Sequence, residues 1–290
     1  MKFDKNTKIL IVGLGLIGGS YAKALSDEGY FVGAIDKKKS SVEYALKNGL
    51  IRVGETSVKK DFVKDFDLIV FALYPHDFIN WIKEYQSSIK SGALITDVTG
   101  VKSFVVENVQ KILRGDLEFV GAHPMAGKEV SGVENADPKI FVGANYIVTP
   151  TKKNTDENVQ AVKDLGRALG FERISSLLPE EHDETVGFLS HLTHCIAVSL
   201  MVSKKSHHLA EYTGDSFRDL TRIAKINDEM WSELFLANKD ELLKQMDLFE
   251  EKFNQLKEDI KNDNREKIRE TLRESTARRK VFDKDAKETK

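Results

Sequence analysis

The sequence predicts an α/β N-terminal domain, built on a mostly parallel sheet with helices on both faces, followed by an all-α C-terminal domain. Up to residue 178, short β-branched runs alternate with polar, helix-permissive stretches, the rhythm of parallel strands joined by crossover helices. Beyond Pro179 only long helical periodicity remains. The glycine spacing after the first run shows how the sheet begins.

The strand-like runs are residues 8–13 (KILIVG), 31–36 (FVGAID), 67–73 (DLIVFAL), 92–98 (GALITDV) and 117–122 (LEFVGA), with helices predicted over 18–28, 40–48 and 101–113. Residues 143–150 (GANYIVTP) and 172–178 (ERISSLL), separated by a helix over 156–169, are expected to extend the same sheet. Helical patterns then cover 180–204, 215–225, 228–262 and 264–282, the last part charge-dense and read as solvated helix faces. This gives two domains, 1–178 and 179–290, with the helical one expected to carry both substrate contacts and a dimer face.

At 290 residues, 41% hydrophobic and 31% charged, the chain can bury two cores. Its net charge of −2 offers no electrostatic reason for a nucleic acid or an anionic membrane as partner, which leaves a small molecule. Cys195 is the only cysteine, so neither an intrachain disulfide nor a thiolate metal cage can form, and a reducing cytoplasm fits. The N-terminus does not read as a signal peptide. The most apolar stretch, 186–202, is interrupted by histidines and hydroxyls, so no bilayer span is expected.

The run ILIVGLGLIGGSYAKAL places Gly13, Gly15 and Gly18 as G-x-G-x-x-G between a strand and a helix. The first glycine allows the tight turn, the second lets backbone approach a pyrophosphate, and the third lets helix pack on strand. Leu16 and Ile17 open the helix whose N–H groups face the phosphates. Asp36 ends the next strand, where a carboxylate meets ribose hydroxyls and repels a 2′-phosphate; this Rossmann-type arrangement favours NAD, with Lys37, Lys38 and Lys39 pulling toward NADP.

Ligands in such sheets sit beyond the carboxyl ends of the strands. TDVTGVK puts Asp97 and Thr99 at one such end and GAHPMAG puts His123 at another. Asp97 is therefore expected on the cofactor side, His123 at the reacting group, and Thr99 on His123 or on that same group. In the second half, DSFRDLTRIAK offers Arg218 and Arg222. Asp219 neighbours Arg218, so Arg222 is the expected carboxylate clamp. Ser190 and His194 share a helix face, with His191 one turn from His194. His182 reads as a capping or surface residue. Trp231 reads as a pocket wall or, at helical spacing, a core aromatic, and Glu129 as a partner for Arg222.

The segments GLGLIGGS, TDVTGVK, GAHPMAGKEVSGVENAD, YIVTP, HDETVGFLSHLTHCIA and FRDLTRIAKINDEMW resemble, in order, signatures of the prephenate and arogenate dehydrogenases of tyrosine biosynthesis. The resemblance spans residues 8–238 at least. It implies a Rossmann domain, a helical dimerisation domain, a site between them, and Ser190 and His194 on the substrate. It also points to Arg222. Two departures stand out: Thr99-Gly100 where the family often has glycine then serine, and Ile226-Asn227-Asp228 where it often has serine and proline.

The chemistry fits these residues. Prephenate is a cyclohexadienol with a carboxylate para to its hydroxyl. Hydride loss from the carbinol carbon gives a dienone, and loss of carbon dioxide makes the ring aromatic. A neutral imidazole at His123 suits the hydroxyl proton. The expected activity is NAD-dependent oxidative decarboxylation of prephenate to 4-hydroxyphenylpyruvate. The alternatives are arogenate as substrate, a two-domain hydroxy acid dehydrogenase without decarboxylation, and a non-catalytic NAD sensor. A metal-dependent hydrolase using His191 and His194 lacks carboxylate ligands at suitable spacing, so no metal is expected. No regulatory module of domain size is expected, which directs any feedback to the active site or dimer face.

Overall fold

The structure, a computed structural model, describes residues 1–205 and 208–282. Six parallel strands form the main sheet: β1 (Lys8–Val12), β2 (Phe31–Ile35), β3 (Val53–Glu55), β4 (Leu68–Phe71), β5 (Leu94–Asp97) and β6 (Glu118–Phe119), in the order β3-β2-β1-β4-β5-β6. Strand order reverses between β1 and β4, which places a crevice at the carboxyl ends of the strands. Along β1 the side chains alternate: Ile9 and Ile11 join the core on one face, Leu10 and Val12 the core on the other. Each such burial contributes about 1.5–3 kcal/mol, which is why the central strands read as continuous apolar runs.

The last strands depart from expectation. β7 (Gly121–Pro124), β8 (Asn145–Thr149) and β9 (Arg173–Ser176) form a separate three-stranded sheet, β7 antiparallel to β8 and β8 parallel to β9. They do not extend the main sheet because the chain changes partners at Val120. Its N–H still donates to Ile95 O at 3.0 Å, whereas the next residue already pairs with Thr149. Only glycine fits there, since a Cβ on Gly121 would lie 2.5 Å from Thr149 Oγ1.

The helices of this half are α1 (Leu16–Asp27), α2 (Lys39–Lys47), α3 (Lys60–Val63), α4 (Pro75–Tyr85), α5 (Ser103–Ile112) and α6 (Asp156–Ala168). α4 is not among the helices expected from the sequence. Proline at its first position starts it, and Phe78, Ile79, Trp81 and Ile82 bury its apolar face, with Phe78 stacked 4.3 Å from Phe71.

The helical half is more segmented than its periodicity suggests. A π-helical turn, Gly187–Leu192, separates α7 (Pro179–Val186) from α8 (Thr193–Val202), and Asn238 separates α10 (Asp228–Ala237) from α11 (Lys239–Lys261). Between α8 and α10 lies α9 (Asp215–Thr221), and α12 (Arg265–Arg279) follows α11. Pro179–Val202 has the length and apolar character of a membrane-crossing helix, yet it carries the buried His182, Asp183 and His191. By contacts the chain divides into two compact units, Met1–Lys239 and Asp240–Lys290. Every site residue below lies in the first. In the second, Phe249 and Phe253 stack with ring centroids 5.9 Å apart on an exposed face of α11.

Candidate active site

The glycine turn has the shape its sequence requires. Gly13 adopts φ +97°, and a Cβ there would lie 2.4 Å from Ala72 O; a Cβ on Gly18 would lie 1.9 Å from Gly13 O. Around Gly15 there is open space. α1 begins at Leu16 with no side-chain cap and no acidic residue in its first turn, leaving its N-terminal N–H groups for an anion. Leu16 is buried and Ile17 half-buried, so these two contribute backbone rather than side chains. Asp36 accepts hydrogen bonds from Leu14 N at 2.6 Å and Lys38 N at 2.7 Å. That ties the carboxylate to the turn, and its remaining lone pairs can accept from ribose hydroxyls. These residues fit a dinucleotide.

Asp97 does not belong to that group. It is fully buried and accepts from Lys102 Nζ at 2.6 Å, Ala122 N at 3.0 Å and Thr99 N at 3.1 Å. The carboxyl end of β5 was the right place, but the side chain turns inward to neutralise Lys102. That ammonium is itself fully buried and donates also to Ala122 O at 2.6 Å and Thr99 Oγ1 at 3.0 Å. Burial lowers the Lys102 pKa, with Asp97 opposing.

Thr99 likewise faces inward. Its hydroxyl is bonded to Asp97 and to Val101 O, and it accepts from Lys102. With its one proton spent there and a lone pair on Lys102, it braces the Asp97–Lys102 pair and makes no hydrogen bond to His123. Gly100 is nearer: a Cβ there would lie 3.8 Å from His123 Cε1 and 3.5 Å from Leu234.

His123 lies in β7 just beyond the end of β5, because Ala122 N bonds to Asp97. Its ring Nδ1 is 2.8 Å from His182 Nε2, and His182 Nδ1 is 2.8 Å from Asp183 Oδ1. Asp183 accepts in addition from Lys102 N and Ser103 N, each at 2.7 Å, which caps the start of α5. His182 is fully buried, not a capping or surface residue. Burial, reinforced by His182 and Lys102, holds the His123 pKa well below the usual histidine value. Burial also lowers His182, against the pull of Asp183. For Asp183 burial pushes upward, but the bonds from His182, Lys102 and Ser103 prevail and keep it below the usual carboxylate range. The signal that could have found His182 was the adjacent His-Asp pair opening a helix.

A second cluster surrounds Trp231. His194 stacks on the indole, with ring centroids 3.7 Å apart, and His191 meets it edge-on at 6.0 Å. His194 Nδ1 donates to Ser190 O at 2.8 Å, so Ser190 acts here through its carbonyl, placed by the π-helical turn. Asn238 Nδ2 donates to Asp183 O at 2.8 Å and lies 3.3 Å from His191 Nδ1. Arg222 forms an ion pair with Glu129, both exposed. Arg218 pairs with Asp215 at 3.1 Å instead of with its neighbour Asp219. The structure thus gathers His123, His182, Asp183 and Lys102 into one hydrogen-bonded group, and His194, Ser190 and Trp231 into another.

Residues 21–173 match the family model described as prephenate dehydrogenase, nucleotide-binding domain, and residues 178–274 match prephenate dehydrogenase, dimerization domain. The chain is 34% identical over 249 residues to a prephenate dehydrogenase of Bacillus subtilis, covering 82% of this chain and 66% of that protein. Superposition on the crystal structure of Aquifex aeolicus prephenate dehydrogenase in complex with hydroxyphenyl propionate and NAD+ gives a TM-score of 0.87 at 34% identity, covering 96% of this chain and 98% of the other. For Synechocystis arogenate dehydrogenase the TM-score is 0.82 at 25% identity, covering 96% and 100%.

Proposed function

This chain belongs to the prephenate dehydrogenase family, and on that premise we propose that it oxidises prephenate with NAD+ and releases carbon dioxide, with His123 taking the hydroxyl proton. The observation that carries the assignment is the His123 imidazole, set just beyond the carboxyl end of β5 with its Nδ1 2.8 Å from His182 Nε2, where burial lowers its pKa. Gly13, Gly15, Gly18 and the start of α1 would hold the pyrophosphate, and Asp36 the ribose. When bound, the nicotinamide accepts the hydride that leaves the carbinol carbon. His123 removes the hydroxyl proton as the carbonyl forms, and the carboxylate para to it then departs as carbon dioxide, leaving its electron pair to complete the aromatic ring. Arg222 supplies a guanidinium for a substrate carboxylate, its charge balanced by Glu129 while it waits. Ser190, His194 and Trp231 line the side-chain end of the pocket.

One observation favours a second substrate. His194 spends its Nδ1 proton on Ser190 O, and burial lowers its pKa, so its Nε2 is an acceptor at neutral pH. An acceptor suits the ammonium of arogenate better than the ketone of prephenate. A spectrophotometric assay of both substrates with NAD+ and NADP+ tests the choice.

The same assay tests His123. Loss of a general base costs about 10²- to 10⁴-fold, roughly 3–5 kcal/mol of transition-state stabilisation. His123→Asn should therefore lower kcat by that order with KM little changed, and the acidic limb of the pH profile should disappear. Near-normal kcat with that limb intact would defeat the assignment.

The matched dimerization domain has exposed apolar side chains, Val202 at 74% and Phe253 at 59% among them. A homodimer that covers them is the assembly we propose. The cytoplasm is the proposed compartment, on the reduced thiol expected of Cys195.

A further inference from the structure

We propose that His182 and Asp183 are positioning residues that lock His123 in the tautomer with its proton on Nδ1, so that Nε2 faces the substrate as a lone pair. The inference deepens the reading of His123 as base and rests on it. It follows from one end of the chain of contacts. Asp183 receives two backbone N–H groups at the start of α5, Lys102 N and Ser103 N, each at 2.7 Å. Those donors stabilise the ionised carboxylate, which has no proton to give. In the 2.8 Å contact between Asp183 Oδ1 and His182 Nδ1 the ring must therefore donate. A neutral His182 is left with a lone pair on Nε2, and the 2.8 Å contact with His123 Nδ1 then requires the proton to come from His123. The outward nitrogen of His123 is an acceptor by elimination.

The neutrality of His182 is the hinge of this argument. A doubly protonated His182 would donate to His123 Nδ1 and force the remaining proton onto Nε2, abolishing the base. Burial, with Lys102, opposes that charge and outweighs the pull of Asp183 and Asp97 toward it. His182 is fully buried, and Lys102, packed between β5 and β7, already places an ammonium beside it, countered by Asp97. His191 on the π-helical turn is also held neutral by burial. The arrangement matters because an unconstrained neutral histidine prefers its proton on Nε2, the tautomer whose Nε2 donates and cannot take the hydroxyl proton. Asp183 thus sets the outward face of an imidazole that it does not touch.

Two-bond ¹⁵N–¹H spectra of the ¹⁵N-histidine-labelled full chain at pH 8 test this directly. The His123 signals are assigned by their loss in His123→Asn. The expected result is a proton on Nδ1 of His123. In His182→Leu the tautomer should shift toward Nε2–H, kcat should fall about 10- to 10²-fold with KM little changed, and the acidic limb should move. His182→Gln, whose amide oxygen can accept near the position of Nε2, should restore most of kcat. A proton on Nε2 of His123 in the unmutated protein overturns the proposal even if His182→Leu does not fold. So does a folded His182→Leu with unchanged tautomer and kcat within twofold, which would leave His123 as base; near-normal kcat in His123→Asn would instead remove the base reading.

Discussion

Replacing His191 by phenylalanine should flatten the loss of stability that the protein suffers in mild acid. Burial pushes the His191 pKa from 6.5 down to about 4, with Asp183 opposing and His182 and His194 adding to the shift. The depressed value sets the sign. Above pH 6.5 the residue is neutral folded or unfolded, so its contribution is fully present there. As pH falls the unfolded chain takes up a proton that the native state refuses, and stability declines until pH passes below about 4. At about 1.36 kcal/mol per pKa unit, the whole swing is about 3 kcal/mol, and about 2 kcal/mol of it has been lost at pH 5. The assay is urea unfolding at pH 7.5 and pH 5.0, at one protein concentration, for the unmutated chain and His191→Phe. Phenylalanine keeps an aromatic ring against Trp231 and Phe235, and Asn238 keeps its bond to Asp183 O. Whatever the variant's stability at pH 7.5, its drop between the two pH values should be smaller by about 2 kcal/mol. Equal drops in both proteins would refute the argument, because His191 would then titrate alike folded and unfolded.

Other expectations concern ligands and assembly. Arg222→Ala should raise KM with kcat nearly unchanged, by up to about 10²-fold, since a carboxylate clamp present in ground and transition states alike is uniform binding worth about 1.5–3 kcal/mol; steady-state kinetics decide. Asp36→Ala should erode the preference for NAD+ over NADP+ through cofactor affinity, read from kcat/KM for each; comparable values in the unmutated enzyme would already contradict the role given to Asp36. Light scattering at micromolar concentration should return twice the chain mass, and a monomer mass would contradict the proposed covering of the exposed face of α11.

The glycine turn was legible because its requirements are local: a positive φ and a close backbone approach. What escaped depended on partners remote in sequence. His182 meets His123 across 59 positions, and the adjacent His-Asp pair marks His182 without saying which residue it meets. Asp97 was placed at the correct strand end, but which way its side chain turns is decided by Lys102 and Ala122. The strands at 145–149 and 173–176 were visible as β-branched runs. Their sheet was not, because the change of partner occurs upstream at Val120 and Gly121. Gly187–Leu192 runs from α7 into α8 without a proline, so the π-helical turn leaves no mark in the sequence pattern.

The seam at Val120 and Ala122 also gives the site a built-in reporter for amide hydrogen exchange. Val120 N–H is held by a ladder carbonyl of the main sheet, so its exchange follows opening of that sheet. Two residues later Ala122 N–H is held by the side chain of Asp97, so its exchange also requires the carboxylate to let go. The protection of these neighbouring amides can therefore diverge. An effect at Ala122 without one at Val120 would mark loosening of the Asp97–Lys102 support beneath His123 while the sheet stays closed, visible in the absence of substrate or turnover.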